Sequence, residues 1–130
     1  MWIFTRYGFV SVACAKKPDG SIDEDTVMVR ARARKHLENL RERFPDTVFG
    51  KSEILAGAGT DYKFRIVLSK TEWASIVSQL VMEQTWSNFK SEATRFAKFK
   101  TSGLYVHALH EIWAIMLDFQ SDVRRAKGEG

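Results

Sequence analysis

The chain has one cysteine, two prolines and no long apolar run. The single thiol, Cys14, can make no internal disulfide. No stretch of eighteen apolar residues exists, so no helix is expected to span a membrane. The opening Met1-Trp2-Ile3-Phe4-Thr5-Arg6 lacks a basic start and an extended apolar segment, which argues against a signal peptide. Together with the lone thiol, this favours a cytoplasmic protein. Motifs of catalysis are also missing. There is no G-x-S-x-G elbow, no G-K-[ST] phosphate loop and no paired cysteines at metal-ligand spacing. No cofactor is expected, and a non-catalytic protein is favoured over an enzyme.

What is present suits one domain. The 130 residues are 45% hydrophobic and 12% aromatic, enough for one packed core. Residues 1–122 form the expected domain, and 123–130 a polar, frayed tail. The net charge of +4 is mildly basic, short of a nucleic-acid signature. Its distribution is uneven. Asp19, Asp23, Glu24 and Asp25 make an acidic stretch, and bases cluster from Arg30 to Arg43.

The clearest local signal runs from Tyr62 to Met82. Tyr62, Phe64, Ile66 and Leu68 alternate with Lys63, Arg65 and Val67, the period of a half-buried strand. Tyr62 and Phe64 are therefore expected on the core side. Ser69 and Glu72 have the spacing of a capping box. Trp73, Ile76, Val77, Leu80 and Val81 follow as one helical stripe. The cap is worth about 1 kcal/mol. Burying Trp73 and Leu80 contributes about 2–3 kcal/mol each, so packing dominates locally.

Elsewhere, residues 2–15 read as one long strand, bent at Gly8, with Cys14 on its apolar face. Pro18-Asp19-Gly20 is turn chemistry, extended by Asp23-Glu24-Asp25 into an exposed loop. Residues 26–32 alternate as a second strand. A helix over 33–44, with Ala33, Leu37, Leu40 and Phe44 inward, stops at Pro45. Residues 48–55 are expected to pair with 62–68 across a Gly-rich loop. Ser87 or Asn88 caps a short helix to Phe99, and 100–103 link it to a last helix from Leu104 to Phe119, apolar on most sides. Such a helix is buried by several neighbours or by a second copy, and the second case makes a homodimer through Leu104–Phe119. The sum is an α+β, two-layer domain: a four-stranded antiparallel sheet in the order ββαββααα, with helices packed on one face.

Two constellations stand out. Arg30 and Arg32 share one strand face, and Lys63 and Arg65 share another. On neighbouring strands they would line one basic sheet surface, fit for phosphates or for an acidic protein patch. The bland alternative is a solvated face whose cations protect a sheet edge. On the last helix His107, His110 and Glu111 sit at i, i+3 and i+4. The order H-x-x-H-E is not that of a zinc protease. It could serve a metal or an enzyme site, or be a polar stripe satisfied by its neighbours. With Asp61, Asn88 and Lys90 it would make a polar pocket if these groups converge. Residues 56–60 hint at a phosphate loop, but they precede a strand rather than a helix and read better as a turn.

The opening Met1–Thr5 block with Gly8-Phe9 and Ser11 resembles the start of a family of short, uncharacterised bacterial and phage proteins. Val29-Arg30-Ala31-Arg32, Thr60-Asp61-Tyr62, Asn88-Phe89-Lys90 and His107 with His110-Glu111-Ile112-Trp113 resemble its later blocks. The loop 16–25 and the stretch 93–103 differ from it. The family carries no established activity. The resemblance implies an accessory role in bacteria or mobile elements, by binding a host protein, including inhibition of a host defence system. Nucleic-acid binding through the basic face and a small enzyme or metal site on the histidine helix are the alternatives.

Overall fold

The computed structural model describes residues 1–57, 61–97 and 102–128. Five antiparallel strands form one sheet: β1 (Trp2–Thr5), β2 (Gly8–Lys16), β3 (Ile22–Ala31), β4 (Leu55–Ala56) and β5 (Phe64–Ser69), in the spatial order β1-β2-β3-β5-β4. Five helices accompany it: α1 (Arg34–Arg43), α2 (Val48–Lys51), α3 (Lys70–Met82), α4 (Phe89–Ala97) and α5 (Gly103–Ala126). The architecture is α+β, as expected, with one strand more than expected.

The extra strand comes from the N-terminus. The chain reverses at Arg6-Tyr7, and β1 pairs with β2 from Thr5↔Gly8 to Trp2↔Ser11. What looks like one bent strand is a hairpin. Thr5 Oγ1 accepts from Tyr7 N–H and donates to the Gly8 carbonyl, and the positive φ of +146° falls on Gly8. The acidic stretch also differs from expectation. Asp23, Glu24 and Asp25 belong to β3 rather than to a loop, and the tip is only residues 17–21. The ladder is interrupted beside them, where Cys14 pairs with Val27 and Ala15 with Asp23.

Residues 48–55 are the third correction. Only Leu55 and Ala56 pair with β5. Thr47 Oγ1 accepts from Gly50 N–H and donates to the Phe44 carbonyl, and this local bonding turns 48–51 into a helix. Phe49 is fully buried there against Trp73. The loop residues 58–60, including Thr60 of the resemblance, lie outside the described residues, as do 98–101, where the short helix was expected to end.

The main core sits between one sheet face and α1, α2 and α3. Val10, Val12, Val27, Val29, Ile66 and Leu68 face Leu37, Leu40, Phe49, Trp73, Ile76 and Leu80. Ser69 caps α3 as expected, its Oγ accepting from Glu72 N–H at 3.2 Å. Val81, placed on the buried stripe by spacing, is exposed at the end of α3. Ser69→Ala is expected to lower stability by about 1 kcal/mol in urea denaturation, with no change in the slope.

The other sheet face is not left entirely to solvent. Phe4 and Phe9 point away from the main core, stack at 4.6 Å, and pack beneath Tyr105 and Leu109 of α5 and Ala93 of α4. Helices therefore cover one face fully and the β1–β2 end of the other, because the aromatic residues of the first hairpin alternate onto both sides. Tyr105 donates its hydroxyl to the Thr5 carbonyl at 2.6 Å and so ties α5 to the hairpin turn. The expected frayed tail from 123 is instead the last turn of α5, which runs on to Ala126.

Candidate functional site

The uncovered part of the second sheet face is where the expected basic residues meet. Arg30 and Arg65 are direct cross-strand partners between β3 and β5. Their neighbours Val29 and Ile66 belong to the core, so alternation turns both guanidinium groups to the open face. Arg32 follows at the end of β3 and Lys63 in the bend before β5, both exposed.

Tyr62 departs from the expected alternation. β5 begins only at Phe64, so strand parity does not reach it. Its ring lies on the open side, 4.8 Å from the Arg30 guanidinium and 4.3 Å from that of Arg32. Arg32 also donates to the Asp61 carbonyl at 3.0 Å, and Arg30 to Ser11 Oγ at 3.0 Å. Among the described residues, Arg65 meets only the weakly accepting sulfur of Met28, at 3.3 Å. Trp2, 69% exposed, and Val67 complete the surface. The result is an aromatic, arginine and methionine patch.

Counter-ions separate these arginines from five others, while Arg41 meets the Ser52 carbonyl instead. Arg6, Arg34, Arg43, Arg95 and Arg125 each meet a carboxylate. Among the described residues, no carboxylate pairs with Arg30, Arg32, Lys63 or Arg65. The contrast is sharpest at Arg6 in the hairpin turn. It pairs with Glu92 at 2.7 Å and lies over the rings of Tyr7, Trp86 and Phe96. Glu92, bonded by Arg95 and Arg6, is held down to about 2. Tyr7 and Arg43 both donate to Glu83. This knot joins the turn to α3 and α4 across more than 70 residues and has no sequence motif.

The expected polar pocket assembles in part. Asn88, Lys90 and His110 line one shallow depression between α4 and α5. Asn88 caps α4 by accepting from Ser91 N–H, and Lys90 lies 4.0 Å from the Trp113 ring centre. Asp61 is not among them; it sits beside Arg32 at the sheet. His107 and Glu111 meet each other at 2.8 Å on an exposed flank of α5. Among the described residues no group of three or more His, Cys, Asp or Glu is placed to hold a metal ion.

A cleft of about 480 Å³ opens where α5 leaves the sheet, between Trp2, Phe9 and Tyr62 on one side and Leu104 and Ala108 on the other, with Arg32 at its rim. His36 of α1 closes its floor. Phe9 N–H donates to His36 Nδ1 at 3.2 Å, and the Tyr105 ring packs 4.8 Å away. Burial pushes His36 below its ordinary value. The accepted N–H also requires the Nδ1 lone pair, so the ring is neutral and carries its proton on Nε2. A depressed histidine stabilises the fold above its unfolded value, near 6.5, and the contribution is lost as pH falls below it. Urea midpoints are expected to drop between pH 7.5 and 5. In His36→Gln this part of the decline is expected to vanish, while the loss below 4.5 that comes from Glu92 remains.

Among the described residues, no helix is long and apolar enough to cross a membrane. No family model, curated protein or solved structure matches the chain.

Proposed function

We propose that the protein is a non-catalytic binding protein whose contact surface is the open sheet face around Arg30, Arg32, Tyr62, Lys63 and Arg65, and whose partner is a protein presenting an acidic patch. One observation carries this reading: two arginines placed directly opposite each other with no carboxylate among the described residues to answer them. Like charges in that relation destabilise a sheet, and a partner's carboxylates would relieve the cost. The surrounding residues fit a protein partner. Exposed Trp2, Met28 and the arginines are of the types enriched in the cores of protein interfaces. The resemblance to short bacterial and phage proteins makes a host protein the natural partner and inhibition of a host defence system a natural setting.

Nucleic acid is the second reading, through the same four cations. It is less favoured because Tyr62 is buried beneath Arg30 and Arg32, which removes its faces from stacking on a base. The self-association expected through Leu104–Phe119 belongs to α5 and not to this face.

The test is a comparison of immobilised wild type and Arg65→Glu in a bacterial lysate, with bound proteins identified by mass spectrometry. A specific protein held by the first and lost from the second is expected. In parallel, fluorescence anisotropy with mixed-sequence oligonucleotides at 50 mM salt is expected to give no binding. Tight, steeply salt-dependent oligonucleotide binding would replace the protein reading with the nucleic-acid one.

A further inference from the structure

The C-terminal half of α5 carries an apolar surface that no other described residue covers. Tyr105, Leu109 and Ile112 face the domain, the first two buried. The same stripe continues as Met116, Phe119 and Val123. These positions recur at steps of three and four, the spacing of a heptad seam. Met116 and Phe119 are 55% and 56% exposed, and the flanking Trp113 and Ile115 are 53% and 64% exposed. A seam that begins inside a fold and continues beyond it lacks its other half.

We infer that a second copy of this chain supplies that half, through antiparallel pairing of the two α5 helices. The orientation follows from two features. First, the steps between Ile112, Met116, Phe119 and Val123 are four, three, four. This series reads the same in both directions, so a two-fold axis lays Met116 against the partner's Phe119 and Ile112 against the partner's Val123. Second, the domain occupies the seam side of the first half of α5. In a parallel pair two domains would need the same space. In the antiparallel pair the overlap runs only from Ile112, at the edge of the domain, to Val123, and the domains lie at opposite ends.

The size is adequate. The exposed parts of Met116 and Phe119 on the seam and of Trp113 and Ile115 on its flanks amount to on the order of 500 Å² per copy. A standard interface takes about 800 Å² per partner, and the polar flanks of the same helix supply the remainder. The pairing leaves the Arg30–Arg65 face free, so it stands whether or not that face binds a partner. It refines the expected dimer in two ways: it extends the contact to Val123, and it leaves out Leu104, which lies beside the cleft.

The experiment is light scattering on the full chain from 5 to 100 μM. A mass of twice the chain is expected, and a monomer throughout the range would overturn the inference. Phe119→Glu and Met116→Glu are expected to give monomers with unchanged far-UV dichroism, because neither side chain belongs to the chain's own core. Dimers that survive both substitutions would overturn the contact. For the orientation, Ile112→Cys and Val123→Cys chains are made in a Cys14→Ala background, mixed and oxidised. Disulfides between the two different chains are expected. Disulfides only between like chains would overturn the antiparallel arrangement.

Discussion

Arg65→Glu is expected to weaken partner binding at least a hundredfold while leaving the protein as stable as before, or more so. The two effects have one cause. Arg65 faces Arg30 across β3 and β5. A glutamate there turns a repulsive pair into an attractive one, worth about 0.2–1 kcal/mol to the sheet. The same change places a negative charge where acidic groups are to dock. Like charges brought together across an interface cost several kcal/mol, more than enough for the loss of affinity. Arg65→Met removes the repulsion without adding a charge and should give an intermediate loss. Urea denaturation and isothermal titration with the captured partner measure both sides. A drop in stability with unchanged affinity would mean that the arginines serve the sheet and not a partner.

The second large effect is at Gly8. Gly8→Ala is expected to destabilise the fold by about 3 kcal/mol. A non-glycine residue at positive φ is strained by about 1–3 kcal/mol. Here it would also meet the His36 ring, with Cβ 2.2 Å from Cγ and 2.4 Å from Cβ of that residue. The ring cannot simply turn away, because Phe9 N–H and Tyr105 hold it. Overpacking of this kind adds about 1–3 kcal/mol. Gly20, at φ +88° with nothing within 4 Å, is the control: Gly20→Ala meets the backbone cost alone, about 1 kcal/mol. In a His36→Gly background, which removes both the ring and the Cβ that the new methyl would meet, the cost of Gly8→Ala should fall toward that of Gly20→Ala. Equal costs at the two glycines in the wild-type background would show that His36 plays no part.

These two sites also mark how far the sequence reaches. Strand parity works where the strand is regular, so Arg30, Arg65 and the core side of β3 and β5 could be read directly. The cap at Ser69 is a local pattern with a local cause and could be read as well. Parity fails at Tyr62, because that residue precedes the first paired residue of β5 and its place is set by Arg30 and Arg32. Gly8 signals an interruption, but a bend and a hairpin leave the same mark in sequence. The signal that would have separated them is Thr5, three residues earlier, whose hydroxyl bridges the turn. Thr47 gives a similar hint for α2, where the stretch 48–55 reads as a strand. The Arg6–Glu92 and Tyr7–Glu83 pairs leave no local trace, since each is a distant contact. On α5 the apolar positions were visible, but which half meets the domain depends on where the hairpin turn lies.

The most direct measurement is a nuclear magnetic resonance titration of the isotope-labelled chain with a short poly-glutamate peptide at 50 mM salt. Backbone amide and arginine Nε–H signals of Arg30, Arg32, Tyr62, Lys63 and Arg65 are expected to shift together and to return as salt is raised. Shifts centred on the bases of α1, or none at the open sheet face, would contradict the account.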